Sequence, residues 1–252
     1  MHPLFDLTGK TALVTGARTG LGQGLALALA EAGADIAAIG SSPMPETERL
    51  IRDTGRRFHA QEVDLSRPFD AEQHLAAAVS ALGGVDILVN NAGIIRRADL
   101  LDVQAEDWDA VMDVNLRSAF FLSQAAARHM IATGRAGRIV NIASMLSFQG
   151  GVRVPAYAAS KHGVAGLTKA MANELAAKAI TVNAIAPGYM DTDNTEALRR
   201  DPERQAQILA RIPTGRWGLP ADLATAILFF AAPASSYVTG TVLPVDGGWM
   251  VR

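Results

Sequence analysis

TALVTGARTGLGQGLALALAEAG, residues 11–33, is the stretch on which the fold turns. Thr11 to Thr15 has the β-branched and apolar character of a buried strand, and from Leu21 onward the apolar residues recur at helical spacing. Between the two lies a glycine-rich turn, Gly16-Ala17-Arg18-Thr19-Gly20-Leu21-Gly22. Glycine lets a backbone turn sharply and approach a ligand closely, and the unpaired N–H groups of a helix start favour anionic oxygens. Strand, glycines and helix in this order therefore predict a phosphate cradle. The spacing is Gly-x-x-x-Gly-x-Gly, not the ordinary Gly-x-Gly-x-x-Gly fingerprint, and no Gly-Lys-Ser/Thr follows to make a Walker loop. A ligand-free glycine turn is the competing reading, and the position directly after the first strand weighs against it.

Working outward, further β-like runs stand at 35–40, 58–65, 86–93, 138–144, 181–188 and 241–248. Segments with helical apolar spacing lie at 21–32, 70–82, 106–132 and 156–177. Runs such as RIVNIA are apolar throughout, as in a sheet covered on both faces. The alternation predicts an α/β fold, a doubly wound Rossmann-type domain with a seven-stranded parallel sheet spanning 1–252. No repeat, low-complexity tract or long linker divides the chain. Segment 189–218, charged and interrupted by Pro202 and Pro213, predicts a mobile flap over a site.

Composition narrows the chemistry. Of 252 residues 49% are hydrophobic and 19% charged, enough for a large core. A net charge of -2 offers no field to gather nucleic acid or an anionic membrane, so neither partner is expected. Cysteine is absent, and His2, His59, His74, His129 and His162 lack metal-ligand spacing, so no metal is expected. No Gly-x-Ser-x-Gly elbow supports a hydrolase. MHPLFDLTGK lacks a basic start and apolar run, and a cytoplasmic location is expected.

Tyr157 and Lys161 stand four apart in a run of helical character, which brings both side chains to one face. A neighbouring ammonium favours phenolate, so the lysine is expected to draw the phenol from a pKa of ~10 toward working pH and make it an acid/base. Ser144 closes the fifth strand run, where its hydroxyl can meet a reacting oxygen. Asn115, within the long helical segment, is a candidate to hold a relay water. Asp64 and Leu65 close the third strand run, and Asn90, Asn91, Ala92 and Gly93 close the fourth, at carboxyl ends where open parallel sheets bind ligands. A cap is the alternative for Asp64. Singly each of these residues is ordinary; the combination is what is informative.

TGARTGLG, NNAG, Asn115, Ser144, YAASK and Pro187-Gly188, in that order, resemble the classical short-chain dehydrogenases/reductases over nearly the whole chain. The resemblance implies NAD(H) or NADP(H), a homotetramer, and an Asn-Ser-Tyr-Lys tetrad at Asn115, Ser144, Tyr157 and Lys161. It also implies that Lys161 binds the nicotinamide ribose, that Tyr157 is among the cofactor-binding residues, and that Pro187, Gly188 and Thr192 contact the nicotinamide portion. Ser41 stands where relatives that prefer NAD carry an acid, and Arg18 lies one residue before the place where many that prefer NADP carry a base.

GIIRRADLLD, NIASMLSFQGGVRVPAY, NAIAPGYMDTDNT, RIPTGRWGLPADL and VDGGWMVR resemble the sugar-acid dehydrogenases of that family. This implies NAD as the usual cofactor, with NADP open, and a substrate such as 2-deoxy-D-gluconate or 2-dehydro-3-deoxy-D-gluconate. A 3-oxoacyl-carrier or sugar-alcohol reductase using NADP(H), or a nucleotide sensor without turnover, remains an alternative. A sugar acid carries a carboxylate, and guanidinium binds carboxylate through two parallel hydrogen bonds. Arg153 is the first candidate for that contact and Arg96 the second. Arg97 is also within the set, Gln149 is a neutral hydroxyl partner, and Tyr189 opens the substrate loop. Pairing with Asp99 or Asp102 is the alternative for the arginines.

Overall fold

The computed structural model describes residues 3–252, so His2 lies outside the described residues. Seven strands, β1 (Thr11–Thr15), β2 (Asp35–Gly40), β3 (Phe58–Glu62), β4 (Ile87–Asn90), β5 (Gly137–Ile142), β6 (Ile180–Pro187) and β7 (Val242–Val245), form one sheet. They run parallel in the order β3-β2-β1-β4-β5-β6-β7. Parallel neighbours need crossovers, and helices supply them on both faces. Side chains alternate along each strand: Ala12 and Val14 pack toward α1 (Gly20–Glu31) and α9 (Ala224–Ala231). Leu13 packs the other way, with residues of α3 (Ala71–Leu82) and α5 (Ser118–Ala132). The central strands β1, β4, β5 and β6 are buried along their whole length, which explains why they are apolar without alternation in the sequence.

Chain order reverses between β1 and β4, whose pairing sets Val14 opposite Val89. At such a switch point the loops leaving two adjacent strands diverge and leave a crevice at their carboxyl ends. Here those loops are the glycine turn after Thr15 and NNAG after Val89.

Several strand ends differ from the sequence expectation. The third, fourth, fifth and seventh strands stop at Glu62, Asn90, Ile142 and Val245, earlier than the runs suggest. Residues 63–65, 91–93 and 143–144 are connecting backbone, so Asp64, Asn91 and Ser144 lie beyond the ladder. Helix α2 (Pro45–Asp53) is also unanticipated; it is strongly charged and buries only Thr47 and Ile51. Run 106–132 is interrupted: α4 (Ala105–Met112) and α5 flank a π-turn over Asp113–Arg117, and Asn115 lies within it. Run 156–177 is α6 (Pro155–Leu175), with proline in its first turn where no N–H is needed. Segment 189–218 contains α7 (Glu196–Arg200) and α8 (Pro202–Arg211). Its ends are held by a bridge between Met190 and Gly218, with Asp191 N–H donating to the Gly218 carbonyl at 2.7 Å.

Candidate active site

A cleft of about 720 Å³ opens at the carboxyl edge of the sheet, between the glycine turn, the NNAG loop, the start of α6 and the loop after β6. Each of Gly16, Arg18, Thr19, Gly20, Leu21 and Gly22 borders it. Thr19 N-caps α1 without a side-chain hydrogen bond, which leaves the first N–H groups of the helix available to an anion. Gly16 and Gly20 have φ of +66° and +57°, a region where side chains are strained. A Cβ at Gly22 would collide with the Gly16 carbonyl and the Asn91 amide, and one at Gly16 would lie 2.9 Å from the Ala92 Cα. The close packing is locked by Asn91, whose Nδ2 donates to the carbonyls of Thr15 at 3.0 Å and Gly16 at 3.1 Å. Thr15 returns the tie, its hydroxyl accepting from the N–H groups of Asn91 and Ala92. The turn is thus shaped to admit a pyrophosphate against bare backbone, and the residues present fit a dinucleotide. Ser41, Asp64 and Leu65 border the far end, with Asp64 held below the usual carboxylate range by hydrogen bonds from Ser66.

At the other end of the cleft lie Gly93, Ser144, Tyr157, Lys161, Pro187, Gly188 and Thr192. Ser144 caps the short turn Met145–Ser147, and Ser147 ties that turn to α6 by donating to the Lys161 carbonyl at 2.7 Å. The Ser144 hydroxyl lies close enough to the Tyr157 phenol to favour its ionised form. Burial pushes the Tyr157 phenol upward, while the Ser144 hydrogen bond and the nearby Arg97 charge pull the other way. Lys161, almost fully buried, is pushed down to about 8 by desolvation. Its Nζ lies 5.6 Å from the Tyr157 ring centre and donates to the Ile142 carbonyl at 2.6 Å. The ammonium is turned to the end of β5, and the Arg97 charge is a further influence that favours the ionised phenol.

Asn115 takes a different place from the one expected. It is buried beneath the cleft with Oδ1 accepting from the Ile94 N–H at 2.8 Å and Nδ2 donating to the Ile94 carbonyl at 3.1 Å. Nδ2 also donates to Ser160, which in turn donates to the Tyr157 carbonyl. The side chain is spent in a chain of contacts that registers the NNAG loop against the helix carrying Tyr157 and Lys161, and the π-turn aims it there.

The family model described as enoyl-(acyl carrier protein) reductase matches residues 16–250. This chain belongs to the short-chain dehydrogenase/reductase family. Among curated relatives of this dehydrogenase, 2-dehydro-3-deoxy-D-gluconate 5-dehydrogenase of Escherichia coli is 56% identical, with 98% of each chain covered. A solved structure from Agrobacterium tumefaciens, described as a candidate 2-deoxy-D-gluconate 3-dehydrogenase with bound NADP, is 54% identical. It covers 100% of both chains with a TM-score of 0.94. A gluconate 5-dehydrogenase of Burkholderia cenocepacia, solved with NADP and tartrate, is 39% identical over 99% of this chain and 98% of its own, with a TM-score of 0.93. As a member of this family the chain is an NAD(P)-dependent enzyme acting on a CH–OH/C=O pair.

The expected substrate residues of this dehydrogenase are scattered. Arg153 lies on the exposed loop before α6, outside the cleft lining, with its guanidinium on Asp99 at 3.1 Å. Its backbone, at φ +63°, accepts from Ala98 N–H, so the loop is pinned with the side chain outward. Gln149 is taken by the Trp249 indole, which donates to its Oε1 at 3.1 Å. Tyr189 is packed edge-on against Trp217 and Trp249 in an aromatic cluster behind the cleft. Arg96 alone of the four borders the cleft, and it is paired with Asp107 at 3.2 Å. Met190, Ile95 and Val114 also border the cleft and were not anticipated. They are apolar and carry no chemical signature of their own; only their adjacency to NNAG, Asn115 and Pro187-Gly188 marks them.

Proposed function

We propose that this enzyme moves a hydride between NAD(P)(H) and a hydroxyl/ketone of a sugar acid of the 2-deoxy-D-gluconate or 2-dehydro-3-deoxy-D-gluconate kind. The observation that carries the chemistry is the meeting of Ser144, Tyr157 and Lys161 at the end of a dinucleotide-shaped cleft. The full-length likeness to an enzyme named for a deoxy-keto-gluconate supports the substrate class. When bound, the nicotinamide supplies or accepts the hydride at its ring carbon. Tyr157 passes the hydroxyl proton to or from the substrate oxygen, which Ser144 also contacts. Lys161, whose Nζ donates to the Ile142 carbonyl at the cleft, would hold the ribose of the cofactor, and Asn115 keeps the cleft floor in register.

Purified enzyme, followed by nicotinamide absorbance across a panel of sugar acids, neutral ketoses and a 3-oxoacyl thioester, tests this reading. The deoxy-keto-gluconate is expected to lead in kcat/KM by about tenfold or more. A lead for the thioester would replace the sugar-acid assignment with a fatty-acyl one.

The adenosine end supports use of either cofactor. β2 ends at Gly40 and is followed by Ser41, without a carboxylate to repel a 2′-phosphate, and Arg18 is exposed on the cleft with no acid paired to it among the described residues. Arg18→Ala is expected to lower kcat/KM for NADP(H) about tenfold and to change NAD(H) by less than about threefold, because a charge-assisted hydrogen bond serves only the phosphate. Equal losses on both cofactors would remove Arg18 from that role.

The enzyme is further proposed to be a cytoplasmic homotetramer. Exposed Leu100, Leu101, Trp108, Phe120 and Phe121 on and beside α4 and α5 support burial of that face against other copies. No helix of the described residues is long and apolar enough to cross a membrane.

A further inference from the structure

Of the three candidate arginines Arg96 alone lines the cleft, and the three differ in one respect. Arg96 is paired with Asp107 and Arg153 with Asp99, each within 3.2 Å. Arg97 has no carboxylate within ion-pair distance among the described residues. Its Nη2 instead donates to the carbonyl of Asn194 at 3.3 Å, in the short turn Asp193–Thr195. Asn194 borders the cleft, as do Ile95 and Arg96 immediately before Arg97. The guanidinium thus spans the rim from the NNAG side to the segment that follows Pro187-Gly188.

We infer that Arg97 is the group that recognises the substrate's carboxylate, an inference that rests on the sugar-acid reading above. A guanidinium has five N–H donors, and one carbonyl contact leaves the others for an anion. A neutral acceptor does not cancel the charge, whereas the aspartates beside Arg96 and Arg153 do. The charge also reaches the reacting end, where it adds to the Ser144 contact in favouring ionised Tyr157. A carboxylate held there would lie on the same side of the cleft as the phenol, with the sugar chain between. Because Arg97 also grips the Asn194 carbonyl, the same side chain would join the substrate to the 192–195 turn, on which Thr192 borders the cleft.

The test compares Arg97→Gln, Arg97→Lys and Arg153→Gln with the parent enzyme on the deoxy-keto-gluconate and on a neutral ketose, with NADP(H) binding measured separately by titration. Arg97→Gln is expected to cost about 30-fold or more in kcat/KM on the sugar acid, chiefly through KM, and less than about threefold on the neutral ketose. Arg97→Lys should recover part of the loss, since a charge remains but the fork is gone. Arg153→Gln should discriminate less between the two substrates than Arg97→Gln. Equal losses on charged and neutral substrates, or a larger selective loss from Arg153→Gln, would overturn the assignment while leaving the sugar-acid reading intact. A parent enzyme that prefers the neutral ketose would overturn both.

Discussion

Tyr157→Phe is expected to lower kcat by about 10³-fold or more while NADP(H) affinity, measured by titration, stays within about threefold. The substitution keeps the ring and removes only the hydroxyl. That hydroxyl lies near Ser144, at the end of the cleft away from the glycine turn, so its loss removes the proton carrier and leaves the cradle. Ring packing on α6 is preserved, as is the Ser160 contact, because Ser160 donates to the Tyr157 backbone carbonyl and not to the phenol. The burial that raises the phenol's pKa bears on the same experiment. A phenol kept protonated at neutral pH is a ready proton donor in the reducing direction, so the variant should lose ketone reduction as completely as alcohol oxidation. A variant turning over within about tenfold of the parent would take the acid/base role away from Tyr157.

What the sequence disclosed follows a physical division. Strand and helix periodicity reports which faces are covered, and for β1, β4, β5 and β6, buried on both faces, the apolar runs are unambiguous. Motif residues that meet a ligand through backbone are equally legible, because Gly16 and Gly22 are required by close approaches that no side chain tolerates. Residues that act through side-chain direction are less so. Arg153 and Arg96 share with Arg97 a place near the cleft, and spacing along the chain says nothing of which acid each will meet. Asp99 and Asp107 decide that, and their reach depends on a turn at positive φ and on the pitch of α4. Asn115 is a similar case. Its position in the chain was clear, but its use as a clasp on Ile94 depends on a π-turn that shifts the helix register by one residue, and no local propensity marks that turn. Helix α9 was missed for another reason: its apolar residues surround the whole helix, so it has no stripe for periodicity to find.

Lys161→Met is expected to abolish useful turnover, by about 10³-fold, and at the same time to make the cofactor-free protein more stable at pH 7. Lys161 is 4% exposed, its Nζ has the Ile142 carbonyl as partner, and no carboxylate is paired with it among the described residues. Desolvation lowers its pKa from an ordinary 10.5 to about 8. Below about pH 8 both folded and unfolded chains carry the proton, and the folded state bears the whole burial penalty, on the order of 3 kcal/mol. Methionine of similar length removes that penalty and loses one hydrogen bond worth about 1 kcal/mol, so a net gain of about 1–2 kcal/mol is expected. For a domain of this size that corresponds to a Tm higher by roughly 3–6 °C. Between about pH 8 and 10.5 the unfolded lysine binds a proton that the folded one has released, so parent stability rises with pH relative to the variant and the gap in Tm closes. Thermal melts of both proteins at pH 7, 8.5 and 10 measure this directly. A variant less stable than the parent at pH 7, or a gap independent of pH, would show that Lys161 is held in the fold by favourable contacts and not retained for catalysis at a cost to stability. The sign of the effect matters beyond this residue: a buried cation that the folded state disfavours until a ligand arrives makes dinucleotide binding and folding mutually supportive, since a ligand oxygen at Nζ would add a partner beside the Ile142 carbonyl.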